Sequence, residues 1–137
     1  MVVIAIVGFL ATFGIIAGLD TYSRYSFNSE VDNVVAMLQK ARSEAINNIG
    51  GSKHGVCFDP VKCADDIILF AGTTYTPPAF EFEFEKNKTI TYSGATEIVF
   101  DQLSGNAPAC SPTPCTVTIT GIKPTNITIN NEGGIDY

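Results

Sequence analysis

MVVIAIVGFLATFGIIAGL, residues 1–19, contains no charged side chain and no proline. At about 1.5 Å of rise per residue, a helix of this length is roughly 28 Å long, which matches the hydrocarbon core of a bilayer. The sequence continues without proline into a polar stretch that also favours helix. We therefore predict one long helix whose first half, residues 1–19, can span a membrane.

The second half of the predicted helix, residues 20–49, is amphipathic. Apolar residues recur there at three- and four-residue spacing, which is typical of a helix with one buried face. Lys40 and Glu44 are four residues apart and can form an ion pair. The helix is expected to end near residue 48, because Gly50 and Gly51 follow. The apolar face consists of Val31, Val34, Val35, Leu38, Ala41, Ala45 and Ile49, and the other faces carry Glu30, Asp32, Asn33, Gln39, Lys40, Arg42 and Glu44.

Residues 50–137 show the two-residue period of β-strands and predict a globular head. FEFEFE at residues 80–85 alternates perfectly, so its phenylalanines are expected to pack on the helix and its glutamates to face solvent. Short consecutive strands favour an antiparallel sheet, and a helix covering one face of that sheet gives an α+β fold. The other predicted strands are residues 55–58, 67–71, 89–92, 97–100, 116–120 and 126–130.

The composition limits both the size of the head and its partners. The chain has 137 residues, which leaves room for one small domain beyond the apolar run. Nucleic-acid-binding surfaces need clustered Lys and Arg, whereas this chain has eight scattered basic residues and a net charge of −6. We therefore expect no nucleic-acid partner.

Four cysteines fall into two close pairs in the sequence. We predict two disulfide bonds, Cys57–Cys63 and Cys110–Cys115, in an exported head. Reduced thiols in a cytosolic protein are the alternative. Zinc ligation is not expected, because the spacings are long for paired ligands and His54 is the only histidine.

No set of residues in the sequence predicts catalysis. A Ser, Thr or Cys nucleophile needs a base, and His54 lies in a Gly-Ser-Lys-His-Gly turn that is expected to be exposed. The acidic residues lack the spacing of a calcium-binding loop. We therefore expect no enzyme activity, no cofactor and no metal site.

Two segments match the Asn-x-Ser/Thr pattern, which makes Asn87 and Asn126 candidate glycosylation acceptors. Glu85 stands two residues before Asn87, as bacterial N-glycosylation often requires. The pattern is short and common by chance, so we expect low occupancy.

The apolar run leaves two interpretations open. A cleaved signal peptide fits poorly, because no basic residue precedes the run and no small-x-small cleavage site follows it. A plain single-pass anchor remains an alternative to an assembly segment. Gly8, Gly14 and Gly18 favour either close packing of helices in a membrane or a helix that melts locally when it leaves the bilayer.

Two segments carry a resemblance to a known superfamily. VVIAIVGFLA at residues 2–11 resembles the apolar segment of type IV pilins and pseudopilins. ARSEAI at residues 41–46 is similar to the helix signature of the GspH/FimT-type pseudopilins, with Ala41, Arg42, Ser43, Glu44 and Ala45 as the matching residues. Residues 56–57, 98–101, 105, 116–120, 127–130 and 133–135 are similar to the strands and the glycine-containing turn of that group.

The resemblance implies a pilin fold and a structural subunit of a type IV filament, either a type IV pilus or a type II secretion pseudopilus. The subunit would wait as a single-pass protein of the bacterial inner membrane. Prepilin peptidase would cleave its precursor, and an assembly platform would add it to other pilin or pseudopilin subunits in an extracytoplasmic or cell-surface filament. The implied assembly stem comprises Val2, Val3, Ile4, Ile6, Phe9, Leu10, Phe13 and Ile16.

The sequence departs from the pattern at its start. The processing site and glutamate of the superfamily would precede Met1, so we expect Met1 to lie inside a longer precursor.

Two functions are alternatives to a structural filament subunit: a minor pilin that binds a ligand such as DNA at the filament tip, or a plain anchored exported domain. DNA binding is disfavoured because the tail carries Glu132 and Asp136, and no arginine follows Arg42. The sequence does not distinguish a major from a minor subunit.

Overall fold

The first element of the computed structural model is one helix, α1, over Val2–Ile46. The structure describes residues 2–78 and 80–137, and over residues 2–20 it gives the helical backbone alone. The predicted end of the helix is confirmed to within two residues. Asn48 takes a left-handed backbone with φ 55°, and a short 3-10 turn over Ile49–Gly51 follows, so the helix cannot continue.

The head contains two antiparallel four-stranded sheets, where the sequence predicted an antiparallel sheet without a division. The strand order is β3-β2-β1-β5 in the first sheet and β4-β6-β7-β8 in the second. The strands are β1 His54–Cys57, β2 Asp66–Ala71, β3 Phe82–Glu85, β4 Thr91–Gly94, β5 Glu97–Phe100, β6 Cys115–Thr120, β7 Pro124–Ile129 and β8 Ile135–Asp136.

The predicted strands agree with the observed ones to within two residues at each end, and β5 agrees at both ends. The two-residue strand β8 was not predicted, because it is too short to show a period. The division into two sheets arises between β3 and β4. β3 pairs with β2, whereas Tyr92 in β4 lies opposite Ile119 in β6. Sequence periodicity gives the faces of a strand but not its partner.

The main core lies between the helix and both sheets. The helix contributes Val34 and Leu38, the first sheet Val56 and Leu69, and the second sheet Ile127, and all five side chains are fully buried. Ile49, predicted on the buried face, is instead half-exposed, because the helix has already ended at Ile46. The amphipathic half of α1 is therefore a structural part of the head.

A second, smaller cluster covers the outer face of the first sheet. It contains the Cys57–Cys63 disulfide, Ile68, Phe70 and Tyr75, and the rings of Phe70 and Tyr75 are 5.7 Å apart. All four residues of β1 are consequently buried, because β1 has apolar material on both faces.

The phenylalanines of the alternating segment behave differently from the prediction. Only Phe84 packs against the main core, whereas Phe80 and Phe82 are half-exposed. β3 is the edge of its sheet and begins at Phe82, so Phe80 lies outside the strand. The Lys40 ammonium group lies 4.9 Å from the centre of the Phe82 ring, and this cation–π contact replaces the expected burial.

Candidate functional site

The predicted assembly stem and its glycines lie in the part of α1 whose side chains are outside the described residues. This applies to Val2, Val3, Ile4, Ile6, Gly8, Phe9, Leu10, Phe13, Gly14, Ile16 and Gly18. Over residues 21–78 and 80–137, no helix is both long enough and apolar enough to cross a membrane. The stem residues therefore stay predictions.

The helix enters the head at Phe27. Tyr22 and Tyr25 are 72% and 74% exposed, whereas the Phe27 side chain is buried and packs over Gly121. A Cβ atom on Gly121 would lie 2.6 Å from the Phe27 ring, so glycine is needed there for the helix to approach the β6–β7 turn. Residues 21–26 thus lie outside the buried core of the head.

Glu30 was placed on the polar face of the helix, but its side chain is only 5% exposed. Its Oε1 atom accepts hydrogen bonds from the Tyr92 hydroxyl and, at 3.1 Å, from the backbone N–H of Asn87. Burial, together with this bond to Glu30, raises the pKa of Tyr92 well above its usual range. The buried carboxylate therefore fixes the helix to β4 and to the segment before it.

Tyr92→Phe is expected to destabilise the head by about 1–3 kcal/mol at pH 7, because the buried Glu30 oxygen loses a donor. The raised pKa of Tyr92 stabilises the folded state fully below pH 10, the ordinary tyrosine value, and this contribution is lost as the pH rises further. The variant should therefore lose less stability than the parent chain between pH 10 and pH 11.5 in urea unfolding. Tyr25→Phe, which changes an exposed ring, is the matched control. Equal alkaline slopes for Tyr92→Phe and the parent would contradict the assignment.

The helix signature meets the C-terminal turn. Ala41 and Ala45 are fully buried, and the Arg42 guanidinium donates a hydrogen bond of 3.1 Å to the carbonyl of Glu132. Gly133 has φ 76°, and a Cβ atom there would lie 2.1 Å from the carbonyl oxygen of Gly105. Two parts of the sequence that carried the resemblance, the signature and the glycine-containing tail, are therefore in direct contact.

The C-terminal end of α1 is also closed by the head. The backbone N–H of Leu103 donates to the Ala45 carbonyl at 2.9 Å, and the Asn47 side chain donates to the Ser43 carbonyl at 2.8 Å. Carbonyl groups that a helix end leaves without partners are satisfied in this way. The predicted Lys40–Glu44 ion pair is present, with 3.9 Å between Nζ and Oε1.

The cysteines pair as the sequence predicted, Cys57 with Cys63 and Cys110 with Cys115. Each bond closes a short loop, with a sequence separation of 6 and 5 residues respectively. The first bond fixes the end of β1 to the segment before β2, and the second links the turn before β6 to the start of that strand.

The two candidate glycosylation acceptors differ in their surroundings. Asn87 donates from Nδ2 to the Ser26 hydroxyl at 3.1 Å, and its Oδ1 accepts from the Thr89 N–H. A glycan on that nitrogen would disturb its contact with the helix. Asn126 is exposed on β7, and its Oδ1 accepts from the Thr118 hydroxyl at 2.9 Å. Occupancy of either residue stays a prediction.

His54 was expected in an exposed turn, and this expectation was wrong. The residue begins β1 and is fully buried. Its Nε2 atom lies 2.9 Å from the Ile49 carbonyl oxygen, and its Nδ1 atom lies 3.0 Å from Glu81 Oε2 and 3.5 Å from Glu44 Oε2. Burial and the nearby Glu81 carboxylate raise the pKa of Glu44. The local sequence looked like a turn because it contains two glycines. Gly51 does lie in the 3-10 turn, but Gly55 lies in β1, where a Cβ atom would be 2.7 Å from the Phe70 ring.

The architecture of one long helix packed on antiparallel sheets is the fold of the type IV pilins and pseudopilins. The crystal structure of the type IV minor pilin FimU from Pseudomonas aeruginosa matches with a TM-score of 0.64 and 20% identity, over 82% of this chain and 88% of that one. The minor pseudopilin EpsH from the type 2 secretion system of Vibrio cholerae matches with a TM-score of 0.51 and 14% identity, over 83% of this chain and 94% of that one. No protein-family model matches the chain, and no curated protein matches its sequence.

Proposed function

We propose that this chain is a structural subunit of a type IV filament, either a pilus or a type II secretion pseudopilus, and that it assembles through residues 1–19. The observation that carries the proposal is the division of the 45-residue helix α1. Its amphipathic half is built into the head from Phe27 onward, and an uncharged apolar half precedes it. The likeness in fold to a minor pilin and a minor pseudopilin supports the same function.

In this proposal the apolar half has two successive environments. It first holds the subunit in the inner membrane, with the head outside the cytoplasm, and it then packs among the helices of neighbouring subunits. Small residues such as Gly8, Gly14 and Gly18 permit close approach of helices. Repetition of one head-to-tail contact generates a helical filament. Prepilin peptidase and the assembly platform are the partners that the resemblance adds.

The subunit would act by packing and not as an enzyme. Its surface also does not favour DNA, because many of its basic side chains already have partners within the chain. Among the described residues, the ion pairs Lys40–Glu44, Lys53–Asp101 and Lys62–Glu97 and the hydrogen bonds of Arg42 and Lys86 to backbone carbonyls use five of the basic groups. These contacts leave little clustered positive charge for phosphate binding.

The direct test is to look for the subunit in filaments. Filaments sheared from the bacterium that makes the chain should bind antibodies raised against the head, with gold particles seen on the filaments by electron microscopy. The density of labelling separates a major subunit, labelled along the whole filament, from a minor one labelled rarely or at an end. A strain without the assembly ATPase is the control and should show no labelled filaments. Unlabelled filaments, with the chain confined to the membrane fraction, would reject the proposal.

A further inference from the structure

One group of side chains around the buried His54 has no part in the proposed assembly. Glu44 near the end of α1, His54 at the start of β1 and Glu81 just before β3 direct one ligand atom each into a common space, and these atoms all lie within 4.8 Å of one another. We call this group the His54 cluster. The cluster lies where the end of the helix meets the first sheet: it includes a residue of α1, a residue of the inner strand β1 and a residue just before the edge strand β3.

The hydrogen bonding of His54 leaves one ring nitrogen for the cluster. A backbone carbonyl can only accept, so the Nε2 atom, 2.9 Å from the Ile49 oxygen, carries the proton. In the neutral ring the Nδ1 atom then presents a lone pair to the Glu81 and Glu44 oxygens, at 3.0 Å and 3.5 Å. With a neutral ring, three acceptors therefore meet in the cluster, and one cation between them would satisfy all three.

A second observation comes from Glu44. Its Oε2 atom is buried and makes no hydrogen bond among the described residues, with His54 Nδ1 at 3.5 Å as its neighbour in the cluster, while its other oxygen faces Lys40 at 3.9 Å. A buried carboxylate oxygen without a partner is costly in free energy. A cation in the His54 cluster would satisfy this oxygen.

The distances fit a metal ion. When metal–ligand bonds are about 2.0–2.2 Å long, neighbouring ligand atoms are about 2.8–3.1 Å apart in an octahedral site and about 3.3–3.6 Å apart in a tetrahedral one, which gives an overall range of about 2.8–3.6 Å. The two measured separations from Nδ1 lie in this range. Metal-binding histidines commonly donate their second ring N–H to a backbone carbonyl, as His54 does to Ile49. Glu81, whose side chain is 37% exposed, has room to adjust and leaves a path to solvent.

We propose that Glu44, His54 and Glu81 bind one divalent transition-metal ion, with Zn²⁺ as the representative ion and water completing its coordination. One imidazole nitrogen with two carboxylate oxygens suits Zn²⁺, whereas Ca²⁺ and Mg²⁺ prefer oxygen ligands alone. The ion would link the end of the helix to the first sheet and stabilise the head by mass action. This proposal departs from the prediction that the chain has no metal site, because only the fold brings Glu44 and Glu81 to the single histidine.

The test is a titration of the full chain, without a histidine tag, in detergent micelles at pH 7.5 after removal of metals by EDTA. Calorimetry with ZnCl₂ should show one bound equivalent. At a free Zn²⁺ concentration of 100 times the Kd, the melting temperature of the head should rise by about 10 °C. CaCl₂ and MgCl₂ at the same concentrations should give no comparable rise. Absence of Zn²⁺ binding to the parent chain would overturn the proposal and leave a shared proton as the cation of the cluster.

Variants identify the ligands. Glu81→Gln and Glu44→Gln should each weaken Zn²⁺ binding by at least the 10- to 100-fold that is typical of lost supporting groups in metal sites. Glu83→Gln changes an exposed carboxylate two residues from Glu81 and is the matched control, with unchanged affinity expected. Because Glu81 is partly exposed, its variant should fold even if a change at the buried His54 does not. Unchanged affinity in Glu81→Gln and Glu44→Gln would place the ion elsewhere and reject the site.

Discussion

Leu10→Asp is expected to remove the subunit from filaments while its head stays folded. Leu10 lies in the middle of the uncharged apolar run, and an aspartate at the centre of a membrane-spanning helix costs about 2.5–3.5 kcal/mol. In a filament core the same unpaired charge would be repeated at every copy. A free-energy difference of about 1.4 kcal/mol corresponds to a factor of ten in an equilibrium. The cost of the aspartate therefore predicts a roughly 100-fold loss of incorporation into filaments. The ratio of subunit in sheared filaments to subunit in the membrane fraction, measured by immunoblot, gives this quantity.

Two further variants separate loss of assembly from other faults. Leu10→Met keeps an apolar side chain of similar size and should incorporate normally. Phe13→Asp places the charge one turn further along and should fail in the same way as Leu10→Asp. Circular dichroism of each purified variant checks that the head is folded. Normal incorporation of Leu10→Asp would show that the contacts of the apolar half are not needed, and assembly through the stem would have to be abandoned.

The helix and most strand positions could be predicted because their signals are local. The apolar spacing that includes Val34, Leu38 and Ala41 defines one face of α1, and these residues are indeed buried. The strand β5 was predicted with its exact limits, and the structure shows the alternation typical of a strand, with Ile98 and Phe100 buried beside less buried neighbours. Each of these patterns is set by the geometry of a single element and needs no knowledge of what lies opposite.

The polar contacts in and around the core could not be predicted in this way. Glu30 looks like any other polar residue on an amphipathic helix, yet it is buried because Asn87 and Tyr92, 57 and 62 residues further along, donate hydrogen bonds to it. His54 and Glu81 are likewise 27 residues apart. A one-dimensional pattern shows which side chains are polar, but only the tertiary fold decides which of them obtain partners in the core.

Leu38→Ala is expected to lower the free energy of unfolding of the head by about 2–5 kcal/mol, a large share of the 5–15 kcal/mol that is usual for small domains. Leu38 is fully buried in the main core between the helix and the sheets, so its removal leaves a cavity. Alanine is at least as good a helix former as leucine, so a loss of helix propensity cannot be the cause. Urea unfolding in detergent micelles, followed by near-ultraviolet circular dichroism, should show a lower midpoint with an unchanged slope.

The matched control is Leu103→Ala, which shortens a leucine that is 67% exposed in the loop after β5. It should change the stability by less than about 0.5 kcal/mol, as surface substitutions usually do. The comparison tests whether the amphipathic half of α1 belongs to the head. If α1 served only as an anchor, Leu38→Ala would cost the head as little stability as Leu103→Ala does. A large cost at Leu38 beside a negligible one at Leu103 means that the amphipathic half is part of the folded head. The same helix would then transmit to the head any force applied to its apolar half during assembly, since the two halves share one continuous backbone.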